Sequence, residues 1–107
     1  MGNKLIGYGS YLPARVMTNA DFERAMDTTD EWIVSRTGIK QRHFAAADET
    51  VADMATNAAR SALENAKIGI DDIDMIIVAT TTPELDFPSV AVQGMGRLGA
   101  TKNIPAF

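Results

Sequence analysis

Residues 27–39 read DTTDEWIVSRTGI and contain the only tryptophan of the chain. Thr29 is placed to cap a helix, because its side-chain oxygen can accept a hydrogen bond from a backbone N–H of the first turn. The two acidic residues that follow it lie where the helix dipole favours negative charge. Gly38 suits the left-handed conformation that often ends a helix. The segment therefore predicts a capped helix of about two turns.

Trp32 and Arg36 are four positions apart on this helix and share one face. An indole can stack on a purine, and a guanidinium can reach phosphate oxygens. The pair therefore suits a nucleotide. The alternative is that Trp32 anchors a core and Arg36 forms a surface ion pair. The spacing alone leaves both interpretations open.

The segment also resembles the signature of the ketoacyl-ACP synthase III family, condensing enzymes that start fatty acid synthesis from an acyl-CoA primer. Further stretches resemble family motifs in the family's order, and together they span nearly the whole chain: Gly7–Pro13, Thr18–Asp21, Arg42–His43, Ala79–Pro83 and Phe87–Ser89. The resemblance implies an α/β class, with residues 1–107 as the N-terminal portion of the first domain of a thiolase-like layered α/β/α fold. It also implies an acyltransferase as the parent protein.

Residue roles follow from the same resemblance. Trp32 would stack on the adenine of CoA, Arg36 would contact its phosphates, and Thr28 would offer a hydroxyl to the base edge. Thr81 would stand near the primer pocket. Phe87 would reach across a homodimer interface to wall the partner's primer pocket, although by sequence alone a core role is equally open. The implied partners are acyl-CoA as substrate, malonyl-acyl carrier protein and a second copy, with no separate cofactor.

The sequence contains no cysteine and ends at Ile104–Phe107. In the family, a strand beginning at such a Pro-Ala-Phe leads within a few residues to the cysteine nucleophile. We therefore expect this stretch to precede the nucleophile region, to hold no catalytic residue and to be inactive alone. Three alternatives remain: a non-catalytic CoA-binding or acyl-binding module, an oligomerisation module, and a sister thiolase-like synthase with other substrates.

Composition and charge argue against several classes of protein and of binding site. Ten Lys and Arg against fourteen Asp and Glu give a net charge of −4, which disfavours a nucleic-acid surface. No apolar run approaches the roughly 18 residues of a membrane span, and the start lacks a signal-peptide pattern, so we expect a cytoplasmic protein. A single histidine and no cysteine make a transition-metal site improbable.

Helical and strand patterns alternate along the chain, which is typical of an α/β layered domain. The apolar run Met75–Ala79 predicts a parallel strand covered on both faces. Capping boxes at Thr18 and at Thr50 predict two helix starts. The expected elements are a strand at 4–8, a helix from Thr18 to about 26, an extended segment at 40–45, a helix from Thr50 to about 67, a strand at 73–80, and a helix from Pro88 to about 98.

Three other patterns carry less functional meaning. Gly94, Gly96 and Gly99 match a dinucleotide-binding spacing but lie late in a helix, where they favour close packing instead. The aspartates at 71, 72 and 74 fit a solvated turn better than a magnesium site. His43 has no neighbouring partner for catalysis in sequence and is expected to be a hydrogen-bonded or solvated strand residue.

Overall fold

The computed structural model describes residues 2–107. They form two compact units. The main unit consists of the described residues up to Tyr11 together with Glu49–Phe107, and the inserted unit is Leu12–Asp48. Each is described on its own below.

The inserted unit contains two short strands and two helices. Their order is β1 (Arg15–Thr18), α1 (Asn19–Ala25), α2 (Asp30–Thr37) and β2 (Gln41–Phe44). The strands pair antiparallel, with Arg15 opposite Phe44 and Thr18 opposite Gln41. The sequence predicted β2 as an extended segment but did not predict β1.

The predicted helix ends of this unit are confirmed. The Thr18 side chain accepts from the backbone N–H of Asp21, whose carboxylate accepts from the Thr18 backbone N–H, so the capping box at α1 is complete. The Thr29 hydroxyl accepts from the Trp32 backbone N–H at 3.1 Å. Gly38 ends α2 with φ 71°, the left-handed region that a glycine occupies without steric cost.

The core of the inserted unit is small. Ile33 is 3% exposed and Phe22 is 9% exposed. The rings of Phe22 and Phe44 lie 6.1 Å apart between centroids at 42°, and the Arg42 guanidinium lies 4.6 Å from the Phe22 ring centroid. Full burial of one such apolar side chain contributes about 1.5–3 kcal/mol, and the ring contacts of Phe22 stabilise the packing of α1 against β2.

The main unit is built on α3 (Val51–Ala66) and α4 (Val90–Arg97), with a 3-10 turn at Ile70–Asp72 between them. The predicted capping box of Thr50 with Asp53 is present at the start of α3. The two helices pack through small side chains, with Ala52 and Ala91 almost fully buried. The alanine-rich face of α3 therefore allows the two helices to approach closely.

The strand predicted at 73–80 is present only as a short parallel pairing. Ile76 forms a bridge with Ala106, and the Ile76 backbone N–H donates to Pro105 O at 2.9 Å. The parallel direction was predicted correctly, but coverage on both faces was not. Met75 is 52% exposed and Ile77 is 74% exposed, so more than half of each of these residues is uncovered.

Two further predictions need correction. Residues 4–8 do not form a paired strand among the described residues; instead this segment lies against α3, where the Tyr8 backbone N–H donates to Asn65 Oδ1 at 3.1 Å. The last helix begins at Val90 rather than at Pro88, because the Ser89 side chain caps it by accepting from Val92. Pro88 follows a cis peptide bond and precedes the cap.

The glycine triplet lies within and just after α4. Among residues 2–107, no group of histidines and carboxylates is arranged to hold a metal ion. No helix in that range combines the length and the apolarity that crossing a bilayer requires.

Candidate nucleotide-binding site

Helix α2 buries Ile33, leaves Val34 half-buried and exposes Trp32. Ile33 is buried at 3% exposure, whereas Trp32 is 57% exposed. Successive helical residues point about 100° apart, so burial of Ile33 directs Trp32 outward. Trp32 therefore lies outside the core of the inserted unit.

Arg36 lies beside the indole. Its guanidinium carbon is 5.7 Å from the Trp32 ring centroid, within range of a cation–π contact. Within residues 2–107, the ion pairs involve other cations: Arg24, Arg97 and Lys102. Arg36 is thus exposed, held against an aromatic ring and available for an anionic ligand.

A surface depression of about 280 Å³ opens at the N-terminal end of α2. Its walls are Asp27, Thr28, Thr29 and Trp32. Thr28 is half-buried, and its backbone N–H donates to Met26 O at 3.0 Å, which fixes the turn before the helix. Ligand pockets usually measure roughly 300–1,000 Å³, so this depression suits one planar ring better than a whole dinucleotide.

Charge divides the site into two ends. Asp30 and Glu31 occupy the first turn of α2, and Asp27 lines the depression beside it. These carboxylates would repel phosphate there, although a helix N-terminus alone favours anions. Arg36 lies in the last turn. The arrangement therefore suits a neutral base near Thr28 and phosphates near Arg36.

Thr81 and Phe87 belong to the main unit, and the structure does not bring either of them onto a cavity wall. Both are exposed, Phe87 at 88%. A depression of about 180 Å³ nearby is lined by other residues of the segment, including Thr80 and Pro83, together with Val78 and Phe107. The Thr80 hydroxyl accepts from the Thr82 backbone N–H at 3.2 Å, which shapes the turn before it.

His43 has a structural partner. Its Nδ1 lies 2.7 Å from Pro13 O, a carbonyl that can only accept, so Nδ1 donates. The carboxylate of Asp71 in the aspartate turn also has hydrogen-bond partners within the protein. It accepts from the backbone N–H and the hydroxyl of Thr101, both at 2.8 Å. These hydrogen bonds lower the pKa of Asp71 below its ordinary value, and the bond from the Thr101 backbone N–H has the largest effect. Neither group forms a reactive pair.

Sequence reasoning missed two polar contacts. Asn19 is buried at 2% exposure beneath α2. The Tyr11 hydroxyl donates to Glu49, and that hydrogen bond is the main reason the pKa of Tyr11 lies above its ordinary value. Both partnerships join residues far apart in the chain, and the sequence signals for Asn19 are its place directly after the cap residue Thr18 and within the motif-like stretch Thr18–Asp21.

No family model matches the chain. Curated relatives do match it. It is 55% identical over 105 residues to a β-ketoacyl-(acyl-carrier-protein) synthase III of Thiobacillus denitrificans, covering 98% of this chain and 33% of that protein. It is 58% identical over 107 residues to a β-ketoacyl-(acyl-carrier-protein) synthase III of Vibrio parahaemolyticus, covering 100% of this chain and 34% of the relative. The chain thus spans about a third of the length of these relatives.

Solved structures agree. The 3-oxoacyl-(acyl-carrier-protein) synthase III of Aquifex aeolicus superposes with a TM-score of 0.90 at 47% identity, covering 98% of this chain and 34% of that one. The priming β-ketosynthase of the R1128 polyketide pathway superposes at 0.86 with 36% identity, covering 95% of this chain and 31% of that one. The match therefore extends over nearly all of this chain in sequence and in fold, and the chain is similar to about a third of the length of β-ketoacyl-(acyl-carrier-protein) synthases III.

Proposed function

We propose that the parent protein condenses an acyl-CoA primer with malonyl-acyl carrier protein, with loss of carbon dioxide, and that residues 1–107 supply the surface that holds the nucleotide of CoA. The observation that carries the proposal is the half-exposed Trp32, with Arg36 beside its ring and the depression at Thr28 in front of it. Identities of 55% and 58% to synthases of this name support the reaction.

Each side chain has a role that its chemistry allows. The adenine stacks on the indole of Trp32 and enters the depression. The hydroxyl of Thr28 exchanges a hydrogen bond with the base edge. Arg36 donates charge-assisted hydrogen bonds to phosphate oxygens. Stacking of one base on an aromatic side chain contributes about 1–3 kcal/mol, so this surface alone binds weakly.

In this proposal, residues outside 1–107 carry out the covalent chemistry. Covalent transfer of an acyl group needs an activated nucleophile; the family resemblance implies a cysteine in this role, and this sequence has no cysteine. We place the nucleophile, as a cysteine, beyond Phe107. We assign Thr81 and Phe87 to the primer pocket, with Phe87 contributed across a homodimer, and we place the enzyme in the cytoplasm.

The proposal is tested by titrating the protein with CoA and following Trp32 fluorescence at low and at high salt. Arg36→Ala is expected to weaken binding several-fold at low salt and less at high salt, because salt screens the contact between the guanidinium and phosphate. Arg24→Ala is the matched control: Arg24 is an exposed helical arginine paired with Asp21, away from the Trp32 ring. Equal affinities of wild type and Arg36→Ala at every salt concentration contradict the proposal.

Two alternative functions remain: a non-catalytic module and a synthase with other substrates. The absence of cysteine also suits a non-catalytic CoA-binding or acyl-binding module, or one that serves in oligomerisation. A sister synthase with other substrates is favoured by the likeness to the polyketide-pathway ketosynthase. An acyl-transfer assay of the full-length parent separates the modules from the synthases, since a module without a nucleophile forms no acyl-thioester.

A further inference from the structure

Asn19 is a buried polar residue at the start of α1. Its side chain is 2% exposed. The Nδ2 group donates two hydrogen bonds of 2.8 Å, one to Asp30 Oδ1 and one to the backbone carbonyl of Ile39. The Asn19 backbone N–H adds a third, to Lys40 O at 3.1 Å.

The two side-chain bonds reach opposite ends of α2. Asp30 is the first residue of that helix, and Ile39 directly follows its C-cap, Gly38. A single amide therefore ties the beginning of α2 to the chain that leaves its end. Trp32 and Arg36 lie between these two attachment points.

The orientation of the amide is determined by its partners. A carboxylate and a carbonyl only accept hydrogen bonds, so the nitrogen must face both of them. The oxygen is left without a partner among residues 2–107. A buried unpaired oxygen costs stability, which an apolar side chain of the same shape would avoid. The asparagine is thus poorly suited to be a core filler and well suited to fix two acceptors.

We propose that Asn19 is a positioning residue for the nucleotide-binding face of α2. The proposal rests on the function proposed above for Trp32 and Arg36. A helix of two turns has little stability of its own and takes its orientation from its attachments. Ile33 packing prevents α2 from leaving the core, and Asn19 sets where its two ends lie.

Loss of these bonds lowers the fraction of molecules in which α2 is correctly placed. The apparent Kd rises as that fraction falls, so a drop to a tenth weakens binding about tenfold. Asn19→Leu preserves the shape and removes both donors. We expect it to raise the Kd for CoA by roughly tenfold by this relation.

Thr56→Val is the matched control. Thr56 is 3% exposed and its hydroxyl donates to Ala52 O at 2.7 Å within α3. The substitution removes a buried hydrogen bond of the main unit and leaves α2 untouched. We expect the Kd for CoA to stay at the wild-type value, so a loss of affinity in Asn19→Leu alone is not a general effect of a destabilised core.

Exchanging the side chains of Asn19 and Asp30 tests whether weaker binding comes from the lost hydrogen bond and not from general misfolding. Asn19→Asp sets a carboxylate against Asp30 and against the Ile39 carbonyl, which is repulsive. Adding Asp30→Asn restores one hydrogen bond, from the new amide to the new carboxylate. The double variant is expected to bind CoA more tightly than Asn19→Asp alone, and by a larger factor than the single variant Asp30→Asn differs from the wild type, since Asp30→Asn alone also removes a negative charge near the site. Equal affinity of the single and double variants overturns the proposal.

Two readouts separate this proposal from the one it rests on. CoA affinity is measured from Trp32 fluorescence, and hydrogen exchange of the α2 amides is measured without any ligand. Faster α2 exchange and weaker CoA binding in Asn19→Leu, with α3 exchange unchanged, support the positioning role. Wild-type exchange in Asn19→Leu overturns it. If the wild type binds no CoA, the function proposed for Trp32 fails, and α2 exchange still decides whether Asn19 fixes the helix.

Discussion

At the scale of single residues, Gly9 shows how closely two parts of the main unit approach each other. A Cβ on Gly9 would lie 2.3 Å from the backbone nitrogen of Ala62 and 2.6 Å from the carbonyl oxygen of Ala58. These are backbone atoms of α3, which no side-chain rotation can move away. Gly9 therefore fits because it has no side chain, and the alanines of α3 permit the same approach from the other side.

We predict that Gly9→Ala lowers the free energy of unfolding by about 1–3 kcal/mol, the usual cost of an overpacked core. The measurement is urea denaturation. Gly96→Ala is the matched control, since a Cβ at Gly96 meets nothing within 4 Å and alanine in a helix is favoured over glycine by about 0.5–1 kcal/mol. Destabilisation of the same size in both variants would show that contact with α3 is not the cause.

At the scale of elements, the helices were predictable and the strand pairings were not. The caps of α1, α2 and α3 are set by residues three positions apart, so Thr18, Thr29 and Thr50 mark them in the sequence. Strand pairing depends on a partner elsewhere in the chain. That is why β1 was missed and why residues 4–8, which have strand-like sequence, lie against α3 instead.

Some features of the candidate site could be predicted from local sequence and others could not. Spacing placed Trp32 and Arg36 on one face of a helix because the helix is local. Their exposure and the depression at Thr28 depend on packing around Ile33, which spacing does not reveal. Asn19 could not be recognised either, because its two acceptors, at Asp30 and Ile39, come together only after folding.

The start of α3 also predicts a dependence of stability on pH. Asp53 Oδ2 accepts from the Thr50 backbone N–H at 2.9 Å and from its hydroxyl at 2.8 Å. Asp53 Oδ1 pairs with Arg97 of α4 at 2.7 Å. The pKa of Asp53 lies below its ordinary value, chiefly through the bond from the Thr50 backbone and then that from its hydroxyl, with Arg97 adding to them and desolvation opposing them.

A lowered pKa in the folded state means that the ionised form stabilises the protein. That contribution is complete above the unfolded pKa of about 3.9 and is lost as the pH falls through the folded value. We expect Asp53→Asn to be less stable than the wild type at neutral pH, with the difference shrinking below about pH 4. Urea denaturation across this range measures it, with the largely exposed Asp74→Asn as control. A difference independent of pH would contradict the prediction.

At the scale of the whole molecule, the main unit carries large apolar side chains on its surface. Leu5 is 83% exposed, Tyr8 and Ile77 are each 74% exposed, and Phe87 is 88% exposed. The short pairing of Ile76 with Ala106 leaves further backbone groups of that segment available to another strand. Surfaces of this kind are sites of protein association.

We therefore predict that residues 1–107 on their own self-associate as their concentration rises. Sedimentation velocity over a range of concentrations measures this directly. Ile77→Lys, which places a charge on the exposed face, is expected to reduce the associated fraction. Lys102→Ala is the control: it removes a charged side chain and no large apolar side chain, so the associated fraction should stay nearly unchanged. A single monomer peak at all concentrations would rule out association through these surfaces.

The central claim is that Trp32 and Arg36 form a surface for the nucleotide of CoA. Nuclear magnetic resonance tests it most directly, because the chain has one tryptophan and its indole signals need no further assignment. With CoA added to about half-saturation of the wild type, we predict magnetisation transfer between the indole protons of Trp32 and the adenine protons of the ligand, and a weaker transfer in Arg36→Ala at the same CoA concentration. Binding of CoA with no transfer to the indole, and with unshifted indole signals, would contradict the account.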